Sequence, residues 1–167
     1  CSGGQTIGTG PGCLMYAVIL DYRRRPELRM LDRAHEFVIG KMKTAIQTLG
    51  IPVGMKGTSD LTFQGRKFSG NALRCKRNWL IYHGTLLCDF DLNLIAKCLG
   101  KPIREPDYRE GRSHLEFLTQ LPTTTEKLSE AIASEWSSGP RAESWPRELT
   151  TNLMQLKYQQ DEWNFKI

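Results

Sequence analysis

Residues Gly57–Leu87 read GTSDLTFQGRKFSGNALRCKRNWLIYHGTLL and resolve into three short strands. Asp60–Phe63 is the first, and Gln64-Gly65 is a tight turn, where glycine tolerates the positive φ of a hairpin. Arg66–Leu73 returns, Cys75–Asn78 is a basic turn, and Trp79–Leu87 is the third strand. Side chains alternate along a strand. Trp79, Ile81, His83, Thr85 and Leu87 therefore share a face, with two polar groups breaking an apolar row. On the second strand Lys67, Ser69 and Asn71 share a face, and Gly70 and Ala72 keep the other low. A Lys, a Ser, an Asn, a His and a Thr on neighbouring strands suit one anionic ligand. A solvated sheet face is the competing reading.

The 167 residues are enough for one domain with a real core, and no internal repeat or linker divides them. The 40% apolar and 25% charged content is that of a soluble globular protein. No apolar run approaches the roughly 20 residues that cross a bilayer, and the Gly-rich opening is unlike a signal peptide. Five cysteines (1, 13, 75, 88 and 98) contain no C-x-x-C pair. This speaks against a disulfide framework or zinc ribbon and for a reducing, cytoplasmic setting. His35, His83 and His114 are too scattered to suggest a protein-built metal cluster. A net charge of +5 and a pI of about 9.0 favour acidic partners. Basic residues cluster only at Arg23-Arg24-Arg25 and at Arg74, Lys76 and Arg77. The basic strands lack interleaved aromatics, so nucleic-acid binding is not expected.

Residues 2–12, SGGQTIGTGPG, form a loop whose glycines let backbone N–H groups approach a phosphate. Neither G-x-x-x-x-G-K-[ST] nor G-x-G-x-x-G is present. The following Cys13–Leu20 reads as a buried strand. Glu27–Leu49 has the period of an amphipathic helix, with Leu31, Ala34, Val38, Met42, Ala45 and Leu49 on one side. His35 is expected at its surface or boundary. Asp89 or Asp91 caps a short helix closed by Gly100. Lys101–Arg112 is a charged loop, and Ser113 to Glu116 fits a capping box. Thr124 or Thr125 opens a helix that Ser137-Ser138-Gly139-Pro140 ends. Pro146 opens the last helix, with Leu149, Leu153 and Leu156 inward.

The wording G-R-K-F-S-G-N-A, then H-G-T-L-L, then D-F-D-L, resembles lipoate–protein ligase A and the wider lipoate/biotin ligase and octanoyltransferase superfamily. Ser2-Gly3-Gly4 and Gly111-Arg112-Ser113-His114 continue the match in the family's order. The resemblance implies an α+β fold, a mixed, mostly antiparallel sheet flanked by helices, of the biotin/lipoate-ligase (class II synthetase-like) type. It implies one catalytic domain over 1–167, lacking its N-terminal opening elements and the C-terminal accessory domain. Gln5 stands where the family has a third glycine, and Thr9 where a histidine is common.

What the resemblance implies chemically is ATP-dependent activation of lipoate or octanoate as an acyl-adenylate, then transfer to a carrier lysine. Two anions must meet, so a fixed cation between them lowers the barrier. Lys67 is the expected catalytic residue, a compact charge able to touch acyl and phosphate oxygens. Ser2, Gly3 and Gly4 fall in the family's nucleotide-binding loop, and Gln5, Thr6, Ile7 and Gly8 would offer backbone donors there. Ser69, Gly70 and Ala72 would line the adenylate site from one strand, His83, Gly84 and Thr85 from the next. Trp79 and Ile81 would hold the acyl chain. Asp60 would help hold Mg²⁺ with the phosphates. Expected partners are acidic lipoyl-carrier domains of 2-oxoacid dehydrogenase or glycine-cleavage type, steered by Arg74 and Arg77, with no membrane partner. Met55 stands near the place where the ATP-independent transferases carry a nucleophilic cysteine. Cys75 and Cys88 are read as inert thiols. A non-catalytic lipoyl-domain binder is the rival from another class.

Overall fold

The computed structural model describes residue 2 and residues 6–100, 102, 104–136, 139 and 144–165. Among the described residues there are five strands: β1 (Cys13–Asp21), β2 (Gly54–Lys56), β3 (Asp60–Phe63), β4 (Arg66–Cys75) and β5 (Trp79–Leu87). They form one antiparallel sheet in the order β1-β5-β4-β3-β2. The one parallel pairing among the described residues is an isolated bridge between Lys67 and Leu118. The β3–β4 hairpin turns at Gln64 (φ 50°) and Gly65 (φ 75°), two consecutive left-handed residues as a type I′ turn requires.

Among the described residues of the first 136, one face of the sheet is covered and the other open. Leu80, Tyr82 and Leu86 of β5 join Phe68, Leu61 and Leu28 in the core. Helix α1 (Leu31–Gln47) lays Ala34, Val38, Ile39, Met42 and Ile46 over them. His35 sits at the edge of this contact, its ring edge-on to Tyr82 with Nδ1 2.8 Å from the Tyr82 hydroxyl. The helix is shorter than the Glu27–Leu49 periodicity predicts. Residues Pro26–Arg29 form a separate 3₁₀ turn, because Met30 is extended (φ −80°, ψ 121°). On the open face Met15 and Ile19 of β1 are 65% and 70% exposed.

Three shorter helices follow. In α2 (Leu92–Cys98), Asp91 is the cap, accepting from Asn93 N–H at 2.9 Å. In α3 (His114–Phe117), Ser113 and Glu116 form the expected capping box. In α4 (Thr125–Trp136), Glu135 bonds Lys41 of α1 at 2.7 Å and Trp136 meets Phe37 edge-on. Of the residues expected to end α4, Ser137, Ser138 and Pro140 lie outside the described residues.

The chain divides into two compact units, Cys1–Trp136 and Ser137–Ile167. The second holds α5 (Arg147–Leu153), a π turn (Met154–Tyr158) and α6 (Asp161–Asn164). Leu149, Leu153 and Leu156 are exposed rather than inward. The π turn widens the helix, so Leu156 drops out of the helical phase.

Candidate active site

Strict alternation would put Lys67 with Ser69 and Asn71, but the backbone inserts a bulge. Leu61 pairs with Ser69 while the next residue, Thr62, pairs with Lys67. One residue is absorbed, and the faces exchange beyond it. Lys67 therefore joins the open face and lies across Gly70, where a Cβ would meet its Nζ at 3.2 Å and its Cε at 3.3 Å. Gly70 pairs with Thr85 and Ala72 with His83, so these four positions belong to the same open face. Ser69 does not line it. Its side chain is on the covered side, 1% exposed, and bonded to Asn71. Asn71 is also on that side.

The Gly-rich opening returns to this face. Ser2 Oγ lies 2.6 Å from His83 Nε2, although the two are 81 residues apart. The loop reaches β1 past α2, with Gly8 and Gly10 against Phe90 and Ile95. Thr6 and Ile7 are exposed. Gly3, Gly4 and Gln5 lie outside the described residues.

Beneath the face sits a polar knot. The Asn71 amide donates to Ser59 O at 2.6 Å, Ser59 Oγ donates to Asn71 O at 3.1 Å, and Tyr16 donates to Asn71 Oδ1 at 2.6 Å. Gly84 makes room for it, since a Cβ there would fall 1.9 Å from Asn71 Oδ1. Glycine at 84 thus serves the support under the site. Burial pushes the Tyr16 hydroxyl well above its ordinary range, so it stays protonated and donates.

Lys67 is clamped from two further directions. Its Nζ is 2.8 Å from Asp60 Oδ1, and Asp60 Oδ2 accepts from Tyr108 Oη at 2.7 Å. Its carbonyl accepts from Thr119 N–H at 2.8 Å, while Arg66 donates to the carbonyls of Leu115 and Leu118. Residues 105–121 thus form a strap over the Lys67 segment. Arg109, 6% exposed, stiffens it by donating to Arg112 O at 2.9 Å and stacking 4.9 Å from the Phe117 ring. Burial, then the bond to Asp60, pushes the Tyr108 hydroxyl far up. Sequence reading missed Tyr108. The available signal was a lone aromatic inside the charged Lys101–Arg112 loop.

The arrangement offers one ammonium, held by a carboxylate, beside a histidine pinned by the N-terminal loop. It can neutralise an anion arriving over Gly70 and Thr85. The family model of the lipoyl protein ligase A/B catalytic domain matches residues 1–136, the first compact unit. The chain belongs to that family.

Among curated relatives, a probable lipoate-protein ligase A of Mycoplasma pneumoniae is 29% identical over 99 residues, 59% of this chain and 28% of the relative. Octanoyltransferase LipM of Geobacillus kaustophilus is 28% identical over 120 residues, 64% of this chain and 43% of the relative. The chain thus spans less than half the length of either. Among solved structures, a bi-partite lipoate protein ligase of Thermoplasma acidophilum, studied with its E2 lipoyl domain, superposes with a TM-score of 0.76 at 16% identity. That match covers 98% of this chain and 68% of the other. A lipoate-protein ligase A bound with ATP gives a TM-score of 0.65 at 17% identity, over 92% of this chain and 65% of the other. The fold is that of the lipoate ligases.

Each oxygen of Asp60, the residue expected to help hold Mg²⁺, has one partner within the chain, Lys67 for one and Tyr108 for the other. Among the described residues no three His, Cys, Asp or Glu side chains could hold a metal. Cys88 is buried, and its thiol is pushed up to about 11, the reverse of an activated nucleophile. Met55, on edge strand β2 opposite Leu61, is 41% exposed.

Proposed function

We propose that this domain activates lipoate or octanoate with ATP and passes the acyl group to a lysine of a lipoyl-carrier domain. In the first step a carboxylate oxygen attacks the α-phosphorus, the bond to the β-phosphate oxygen breaks, and pyrophosphate leaves. In the second the lysine amine attacks the acyl carbon, the bond to AMP breaks, and the amine proton passes to solvent. Lys67 is the catalytic residue in both, offsetting charge where carboxylate and phosphate meet and then on the tetrahedral oxygen. Ser2 and His83 position the acyl-phosphate end. Gly70, Ala72 and Thr85 leave the face low enough for it, and Ile81 continues as an apolar floor for the acyl chain. Thr6, Ile7 and Gly8 offer backbone donors to the nucleotide. The observation carrying this reading is Lys67 Nζ lying across Gly70, 2.8 Å from Asp60.

The LipM relatives favour a second reading, ATP-independent transfer of an octanoyl group. Met55 and the buried Cys88 thiol weigh against it, since acyl exchange through an enzyme thioester needs an accessible thiolate. Mass spectrometry of an apo lipoyl domain decides between them. Acylation from free lipoate only when ATP is present supports the ligase, and acylation from an octanoyl thioester without ATP overturns it.

A further inference from the structure

Two basic clusters that are separate in sequence meet at the end of the sheet away from Lys67. Asp21 pairs with Trp79, Tyr22 N–H donates to Asn78 O at 2.9 Å, and Arg29 donates to Arg77 O at 3.0 Å. These bonds bring Arg23, Arg24, Arg25 and Arg29 beside Arg74, Lys76 and Arg77. Within residues 21–29 and 74–79 there are seven cations and two carboxylates, Asp21 and Glu27. The local excess of five equals the formal charge of the whole chain, +5, so the remainder is balanced.

This end is not only charged. Ile19 and Trp79 are 70% and 41% exposed, and with Asp21, Arg23 and Asn78 they line an open cavity of about 390 Å³. From there the open face runs through Ile81 and Ala17 to His83. Trp79 and His83 are four residues apart, as are Arg74 and Gly70, about 13 Å at strand rise. A tryptophan and an arginine around an apolar hollow, inside a rim of cations, is how protein interfaces place their anchors. Phosphate contacts alone would leave such a hollow unfilled.

We propose that this basic end, centred on the Ile19–Trp79 cavity, is the docking surface for an acidic protein domain bearing the acceptor lysine, an inference that rests on the acyl-transfer reading above. A domain seated there is held by complementary charge, and its lysine reaches Lys67 over the acyl chain that lies on Ile81.

The test uses the full chain carrying Arg24→Glu, Lys76→Glu and Arg77→Glu, three exposed positions outside the chemistry. The probes are an acidic apo lipoyl domain of a 2-oxoacid dehydrogenase and a short DNA duplex, each titrated directly at low and high salt. Lipoate-dependent ATP–pyrophosphate exchange is followed alongside. Carrier binding is expected to weaken at least tenfold at low salt, with the gap closing at high salt and exchange within twofold of the parent. Equal carrier binding by both proteins overturns the proposal. So does loss of duplex binding with carrier binding intact, which assigns the patch to nucleic acid. A parallel fall in exchange also overturns it, unless Arg24→Gln, Lys76→Gln and Arg77→Gln separates the two. Tight, patch-dependent carrier binding by a parent chain with no exchange would remove the ligase reading and leave the docking surface standing.

Discussion

Gly70→Ala places one methyl group under the Lys67 side chain. The new Cβ would stand 3.2 Å from Nζ and 3.3 Å from Cε, tighter than the 3.4–4 Å of ordinary contact. The neighbour must move by a few tenths of an ångström, and it is the far end of a flexible side chain, so it can. Folding stability should change by less than about 1 kcal/mol, since no backbone or packed core atom is displaced. The ammonium, however, rides up off the sheet and strains its 2.8 Å contact with Asp60. Misplacing a reacting group by up to an ångström can cost about a hundredfold in rate. Lipoate-dependent pyrophosphate release should fall about ten- to a hundredfold, with the melting temperature shifted by only a few degrees. Unchanged turnover would show that the position of Lys67 over Gly70 does not matter. Global unfolding would show that Gly70 serves the core instead.

Gly84→Ala should behave in the opposite way, because its Cβ would fall 1.9 Å from Asn71 Oδ1, which Tyr16 holds in place. A loss of about 3 kcal/mol is expected from overpacking and a broken buried hydrogen bond, and a denaturant melt matching the parent would contradict it. Tyr108→Phe removes the 2.7 Å bond to Asp60; it should cost about 1 kcal/mol and lower kcat about three- to tenfold with KM for ATP unchanged, as steady-state kinetics would show. Burial lowers the His35 pKa from 6.5, outweighing nearby Asp32. The folded value therefore lies below the unfolded one, so His35 favours folding above the ordinary imidazole range and loses that contribution as pH falls through the folded value. Thermal melts should accordingly drop more between pH 7.5 and 5.5 for the parent than for His35→Gln, and parallel curves would remove this role.

Much of the sheet was legible because its signals are local. Gln64-Gly65 announces a hairpin, alternation places His83 and Thr85 on one face of β5, and Ser113 with Glu116 announces a helix start. The position of Lys67 relative to Ser69 was not legible. A bulge adds one residue without altering composition, and every side chain beyond it changes face. Gly70 was the available hint, since an interior strand glycine often marks a bulge or a close approach. The strap escaped for another reason. Tyr108 meets Asp60 across 48 residues, and nothing in a charged, proline-containing loop says which strand it will cover. Long-range support of this kind comes from tertiary packing and leaves no period in the sequence. Arg74 and Arg77 were legible as a steering site for an acidic carrier, but nothing local says that Arg23-Arg24-Arg25 stands beside them, which the pairing of β1 with β5 establishes.

The most direct test replaces Lys67 with Met, which keeps much of the side chain's bulk and removes its charge. Exchange of labelled pyrophosphate into ATP is then measured with free lipoate in the full chain. The parent is expected to exchange only when lipoate is added, and Lys67→Met to lose at least a hundredfold while melting within a few degrees of the parent. Exchange at the parent's rate without that ammonium would mean that the activating charge lies elsewhere.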